Sequence, residues 1–210
     1  LGKFQLPFLI LALGLLINAT NYIDGIDGLL LTFFISCLGY YIFLLDDVKT
    51  VSLLQILLIP VIINLIFNFL PLKSKFKIFS GDSGSLFIGF FISFLTIELY
   101  MNFSIHPVFL IWPLWYPVYD FLFVNLRRIV KKKPIFSADK SHLHHKIFFK
   151  LKKSNIKTVS LFFVTNIMII YFGFLISNFS RLLSLIIFVF GFLLYFLIRF
   201  YLDKNEKIRE

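Results

Sequence analysis

The stretch V-S-L-L-Q-I-L-L-I-P-V-I-I-N-L-I-F-N-F-L-P-L, residues 51–72, carries no charged side chain. A helix needs about 20 apolar residues to cross a hydrocarbon core of about 30 Å, and this run supplies them. It is continuous rather than alternating, so a helix, not a barrel strand, satisfies its backbone in lipid. Six further apolar stretches accompany it, at 4–19, 29–45, 85–103, 108–126, 158–177 and 182–202; the first two are short for full spans. Hydrophobic residues make up 59% of the 210 and charged ones only 15%. Soluble domains carry about 25% charged residues, so most of this surface faces something other than water. The expected fold is all-α: a polytopic integral membrane protein of about seven transmembrane helices, read as a single domain over 1–210.

The Lys and Arg residues are unevenly placed, and the formal net charge is +10. One set of connections holds Lys73, Lys75 and Lys77, the stretch 127–157, and the end from Arg199; the opposite set holds only Lys3, Lys49 and Arg181. By the positive-inside tendency the first set is cytoplasmic. This places the N-terminus outside and the C-terminus inside. Anionic headgroups account for the basic charge, and no nucleic-acid-binding module is visible. Cys37 is the sole cysteine, which excludes an intrachain disulfide and a cysteine metal site. The chain opens on Leu1 with no readable signal peptide, as a piece of a longer chain would.

Three polar clusters fall on the cytoplasmic side. The first is N-A-T-N-Y-I-D-G-I-D-G-L, residues 18–29. Asn18, Asn21 and Asp24 recur every third residue, which keeps them on one side of a helix, and the Asp-Gly steps mark its end. With Asp27 they can hold a divalent cation or a polar head, or simply cap a helix and form a loop. The second is S-G-D-S-G-S-L-F-I-G-F, residues 80–90. A helix N-terminus with glycines suits phosphate, and Asp82 can ligate a metal there or only cap the helix. The Gly-Lys-Ser/Thr ending of a nucleotide P-loop is absent. The third is R-R-I-V-K-K-K-P-I-F-S-A-D-K-S-H-L-H-H-K, residues 127–146. Without a nearby cysteine, its histidines suit phosphate oxygens better than zinc; membrane-surface attraction explains part of the Lys/Arg run.

Other polar groups carry less. Asn64 and Asn68, one turn apart, suit bonding between helices. Glu98 reaches the outer interface, and Asp46 and Asp47 read as a solvated loop on the far side. Asp120, inside a span, is a functional candidate by default, placed to pair with the basic strip.

In this order and on this side, the three clusters resemble the polyprenyl-phosphate N-acetylhexosamine-1-phosphate transferases. N-A-T-N-Y-I-D-G-I-D-G-L looks like that family's Asn/Asp signature, G-D-S-G-S-L-F-I-G-F its helix start, and P-I-F-S-A-D-K-S-H-L-H-H its sugar-nucleotide loop. The resemblance implies transfer of N-acetylhexosamine-1-phosphate from a UDP-N-acetylhexosamine to a polyprenyl (undecaprenyl) phosphate among the membrane lipids, releasing UMP. The setting it implies is the cytoplasmic face of a bacterial inner membrane. It assigns Asp82 and Asp24 to Mg²⁺ (or Mn²⁺), and Asp24, Asp27 and Asp82 to catalysis. Asn18, Asn21, Arg127, Arg128, Asp139, His142, His144 and His145 then line the substrate site. His145 is followed by Lys146, which points to the branch starting O-antigen, enterobacterial-antigen or teichoic-acid glycans rather than the peptidoglycan-precursor branch. The family carries ten or eleven spans and an acidic pair upstream of the first motif. The seven spans here are therefore expected to be the C-terminal part of that fold. A non-catalytic remnant and an anion or lipid transporter are the alternatives.

Overall fold

A computed structural model of the chain describes residues 5–132, 134 and 142–207. Among these there are helices and no strands: α1 (Gln5–Ile23), α2 (Leu29–Leu44), α3 (Val48–Asn68), α4 (Gly81–Met101), α5 (Pro107–Leu110), α6 (Trp115–Val130), α7 (Leu143–Lys150), α8 (Asn155–Phe179) and α9 (Arg181–Lys207). Among the described residues, five segments are long and apolar enough to cross a membrane: Val48–Asn68, Gly81–Met101, Pro107–Val130, Asn155–Phe179 and Arg181–Asp203. The shorter apolar helices Leu9–Ile23 and Leu29–Leu44 account for the first two stretches. All seven stretches are helical, and five have full spanning length.

Boundaries depart from the sequence reading where local chemistry overrides hydropathy. Asp47, expected in a solvated loop, caps α3: its carboxylate accepts from the Thr50 N–H at 2.8 Å and the Thr50 hydroxyl at 2.6 Å. α3 ends at Asn68, ahead of Pro71, which disfavours helical geometry in the residue before it. The fifth stretch is not one helix. A 3-10 turn at Trp112–Leu114, containing Pro113, separates α5 from α6, because proline lacks the N–H that would continue the ladder. The stretch 127–157, expected as a polar loop, is also partly helical. α6 runs on to Val130, placing Arg127 and Arg128 in its last turn at the negative end of the helix dipole. α7 lies within the same stretch, and α8 begins at Asn155.

α1 packs against α4 and α6, α2 against α3 and α8, and α8 against α9. The α1–α4 contact depends on Gly89. A Cβ there would stand 2.1 Å from Oγ1 of Thr20 and 2.8 Å from Cα of Ile17. Some polar side chains inside the bundle pair across helices. Trp115 Nε1 donates to Asn166 Oδ1 at 2.7 Å, and Asn166 Nδ2 donates to Ser36 Oγ at 2.5 Å, tying α6, α8 and α2 together. The outer faces of α3 and α9 expose Leu53, Ile56, Ile59, Leu193 and Leu197, suited to lipid chains. This packing brings the C-terminal end of α1, the N-terminal end of α4 and the α7 segment to the same end of the bundle.

Candidate active site

The first and second clusters are joined directly. Asn21 Nδ2 donates to Ser85 Oγ at 3.0 Å. α1 stops at Ile23, so Asp24 and Asp27 lie in the turn beyond it. α4 starts at Gly81, which places Asp82 in its first turn beside unpaired N–H groups; Ser80 makes no side-chain cap bond. Asp24, Asp27 and Asp82 line one cavity of about 310 Å³, together with Asn68, Phe79 and Ser80.

Each acid meets a different environment there. Burial, then the charges of Asp82 and Asp27, push the Asp24 carboxyl up to about 6. Asp27 is held instead: its Oδ2 accepts from Lys77 Nζ at 2.9 Å and from Asn155 Nδ2 at 2.9 Å. Lys77 Nζ also donates to the carbonyls of Asn68 and Leu70 at 2.7 and 2.9 Å, at the end of α3 and two residues past it. Asn68 donates its Nδ2 to the Ile78 carbonyl at 2.8 Å, leaving a buried Oδ1 without a partner.

Among the described residues no three His, Cys, Asp or Glu side chains gather as a ready-made metal cage. The donor set still fits a hard divalent cation. Mg²⁺ is commonly held by one or two carboxylates plus waters and substrate phosphates, and mutually repelling Asp24 and Asp82 with an unpartnered amide oxygen supply that kind of surface.

The third cluster closes against the first. His142 precedes α7, and its Nδ1 lies 2.6 Å from Asp120 Oδ2. Asp120 thus pairs with the basic stretch through a histidine. Its Oδ1 accepts from Tyr195 OH at 2.6 Å and from the Leu143 N–H at 3.2 Å. His144 is fully buried, with Nδ1 2.7 Å from Tyr116 OH and Nε2 without a partner. Burial holds its imidazole well below the usual histidine range, with the charges of His145, His142 and Arg199 acting the same way and Asp120 opposing. A Cβ on Gly25 would lie 2.7 Å from His145 Cε1 and 3.1 Å from His144 Nε2. Glycine at that step lets the Asp24–Asp27 turn and the histidines touch.

The remaining expected site residues separate. Arg128 is buried, with Nη1 3.4 Å from Tyr22 OH and its guanidinium over the Tyr22 ring, so it faces the first cluster. Arg127 turns away to Asp203 on α9 at 3.0 Å, which Lys146 also engages at 2.5 Å. Asn18 donates to the Gly14 carbonyl of its own helix at 2.7 Å and is not among the cavity-lining residues. Asp139 lies outside the described residues. Lys77, Asn155, Tyr116 and Tyr195 also join the site, from outside the three clusters. Tyr116 carried a signal, since it stands one helical turn before Asp120.

The bundle and its cavity define a helical membrane protein with an acidic, histidine-flanked pocket at one end. Comparison with known proteins takes this further: residues 2–100 match the family model of Glycosyl transferase family 4. The chain is 36% identical over 152 residues to a probable undecaprenyl-phosphate N-acetylglucosaminyl 1-phosphate transferase of Bacillus subtilis, covering 70% of this chain and 41% of the relative. It is 32% identical over 154 residues to the undecaprenyl-phosphate alpha-N-acetylglucosaminyl 1-phosphate transferase of Escherichia coli K12, with the same coverage. These matches support the family read from the three clusters, the polyprenyl-phosphate N-acetylhexosamine-1-phosphate transferases, without dividing its branches. The chain spans about 41% of the length of these relatives. No solved structure matches it significantly.

Proposed function

We propose that this chain carries the donor-binding part of a transferase that moves N-acetylhexosamine-1-phosphate from a UDP-sugar to a polyprenyl phosphate. In this reading the site faces the cytoplasm of a bacterial inner membrane and starts a cell-envelope glycan of the O-antigen, enterobacterial-antigen or teichoic-acid type. The convergence of the three clusters carries it: Asp24, Asp27 and Asp82 share one cavity, and Gly25 of the same turn touches His144 and His145.

Asp24 and Asp82 would hold Mg²⁺ (or Mn²⁺), whose charge offsets that of a diphosphate. Asp27, fixed by Lys77 and Asn155, shapes the wall of the cavity. The N-terminal turn of α4 and the histidines supply N–H donors for phosphate oxygens. Arg128 adds a buried positive charge beside Tyr22.

The test is UMP release from UDP-N-acetylglucosamine and UDP-N-acetylgalactosamine in membranes containing the chain and undecaprenyl phosphate. Asp82→Asn should lower turnover at least 100-fold, a loss of the size expected for a principal electrostatic group. Near-normal turnover in that variant would overturn the assigned role.

A further inference from the structure

We propose that Tyr116 and Asp120, one turn apart on α6, are positioning residues that give His142 and His144 opposite proton arrangements: His144 offers an N–H at Nε2, His142 a lone pair. The inference rests on the histidines belonging to the phosphate-binding site proposed above. It assigns each ring a distinct task there and places both tasks under the control of one helix.

The proton positions follow from counting donors. Three donors converge on Asp120: His142 Nδ1 at 2.6 Å on Oδ2, and Tyr195 OH and the Leu143 N–H on Oδ1. A carboxylate surrounded in this way accepts from all three, so Nδ1 of His142 carries the hydrogen. With a single ring hydrogen, His142 then has its lone pair at Nε2.

Tyr116 imposes the reverse. Its phenol oxygen accepts the backbone N–H of His144 at 3.2 Å and lies 2.7 Å from Nδ1 of the same residue. The phenol is buried, and a buried hydroxyl hydrogen needs an acceptor. Nδ1 is the acceptor within reach, so it receives that hydrogen, and the neutral ring carries its own on Nε2. This Nε2 is buried, without a partner, and directed at Gly25. A buried donor without an acceptor is costly, unless a ligand oxygen completes it.

The two rings lie nearly parallel, 5.5 Å apart between centroids with 14° between their planes. Both are anchored through Nδ1 to α6, and Nε2 of His144 lies toward Gly25 of the Asp24–Asp27 turn. With one hydrogen on each ring, the pair carries a donor on one Nε2 and an acceptor on the other. A phosphate ester suits it: an unprotonated oxygen takes the hydrogen bond from His144, and a P–OH or sugar hydroxyl gives one to His142.

The experiment is NMR of the 210-residue chain in lipid nanodiscs with ¹⁵N-labelled imidazoles, each histidine assigned by its His→Gln variant. Opposite tautomers at 142 and 144 support the proposal; the same tautomer at both overturns it. Tyr116→Phe should abolish the bias at His144 while leaving His142 unchanged, and Asp120→Asn should do the converse. Loss of neither bias would show that the α6 residues do not set them. Addition of inorganic pyrophosphate should shift the His144 Nε2–H resonance. No shift would overturn the ligand-facing role, and since UMP release is measured separately, the transferase reading would stand or fall on its own.

Discussion

Lys77 and Asp27 form an ion pair at 2.9 Å in which the lysine side chain is only 2% exposed. The same ammonium binds two carbonyls at the C-terminal end of α3, and the same carboxylate binds Asn155 at the start of α8. One pair therefore fastens three segments around the cavity. Removing one partner of a buried pair leaves the other charge stranded. Lys77→Met should cost about 2–4 kcal/mol, read as a lowered midpoint of thermal unfolding in detergent. A double-mutant cycle with Asp27→Asn should return a coupling of about 1–3 kcal/mol; additive losses would mean that the pair is incidental.

Asp24 behaves in the opposite sense. Its folded pKa of about 6 lies above the ordinary 3.8, so folding binds a proton there more tightly than the unfolded chain does. The stability this contributes is fully present below about pH 4 and is lost as pH rises toward 6. Without divalent cations, Asp24→Asn should therefore be more stable than the parent at pH 7.5, by about 1–2 kcal/mol. The advantage should shrink as pH falls from 6 to 4. Thermal scans across that range decide the matter, and an advantage independent of pH would exclude this cause.

Gly25→Ala tests the contact between the first and third clusters. The new methyl would stand 2.7 Å from His145 and 3.1 Å from His144, too close for either ring to keep its place. UMP release should fall at least tenfold, because both rings must shift from the turn. Gly89→Ala makes the contrast: its methyl would meet the Ile17 backbone, so it should destabilise the α1–α4 contact by about 1–3 kcal/mol.

The two arginines at the end of α6 should separate. Arg127 pairs with Asp203 at a partly exposed position, where such pairs contribute about 0–1 kcal/mol. Arg127→Ala should leave both stability and turnover within about twofold. Arg128 is buried against Tyr22 of the first cluster, and Arg128→Ala should reduce turnover by about tenfold or more. Equal effects in UMP-release assays would contradict the geometry.

This last contrast shows what the sequence could and could not convey. Long apolar runs disclosed the helices, since lipid leaves the backbone no alternative. The Asp-Gly steps marked the end of α1, and the Ser-Gly-Asp step marked the start of α4. Arg127 and Arg128 were indistinguishable because their directions depend on α6 continuing to Val130, through a stretch too basic to suggest a span. α7 was hidden for the same reason. Asn18 shared the spacing of Asn21 but spends its amide on its own helix. Lys77 looked like one more interfacial cation until the fold placed it beneath Asp27. Hydropathy located the elements, whereas the pairing of charges needed three dimensions.

The ties to α9 have a consequence for biosynthesis. Tyr195 supports Asp120, and Asp203 gathers Arg127 and Lys146, so the histidine wall depends on the helix translated after all the others described. While α9 is still within the ribosome or the insertion channel, the preceding helices can already sit in the bilayer with the acidic cavity formed. Asp120, which holds His142, would lack the Tyr195 hydroxyl until α9 arrives. Completion of that support is thereby timed to the insertion of α9.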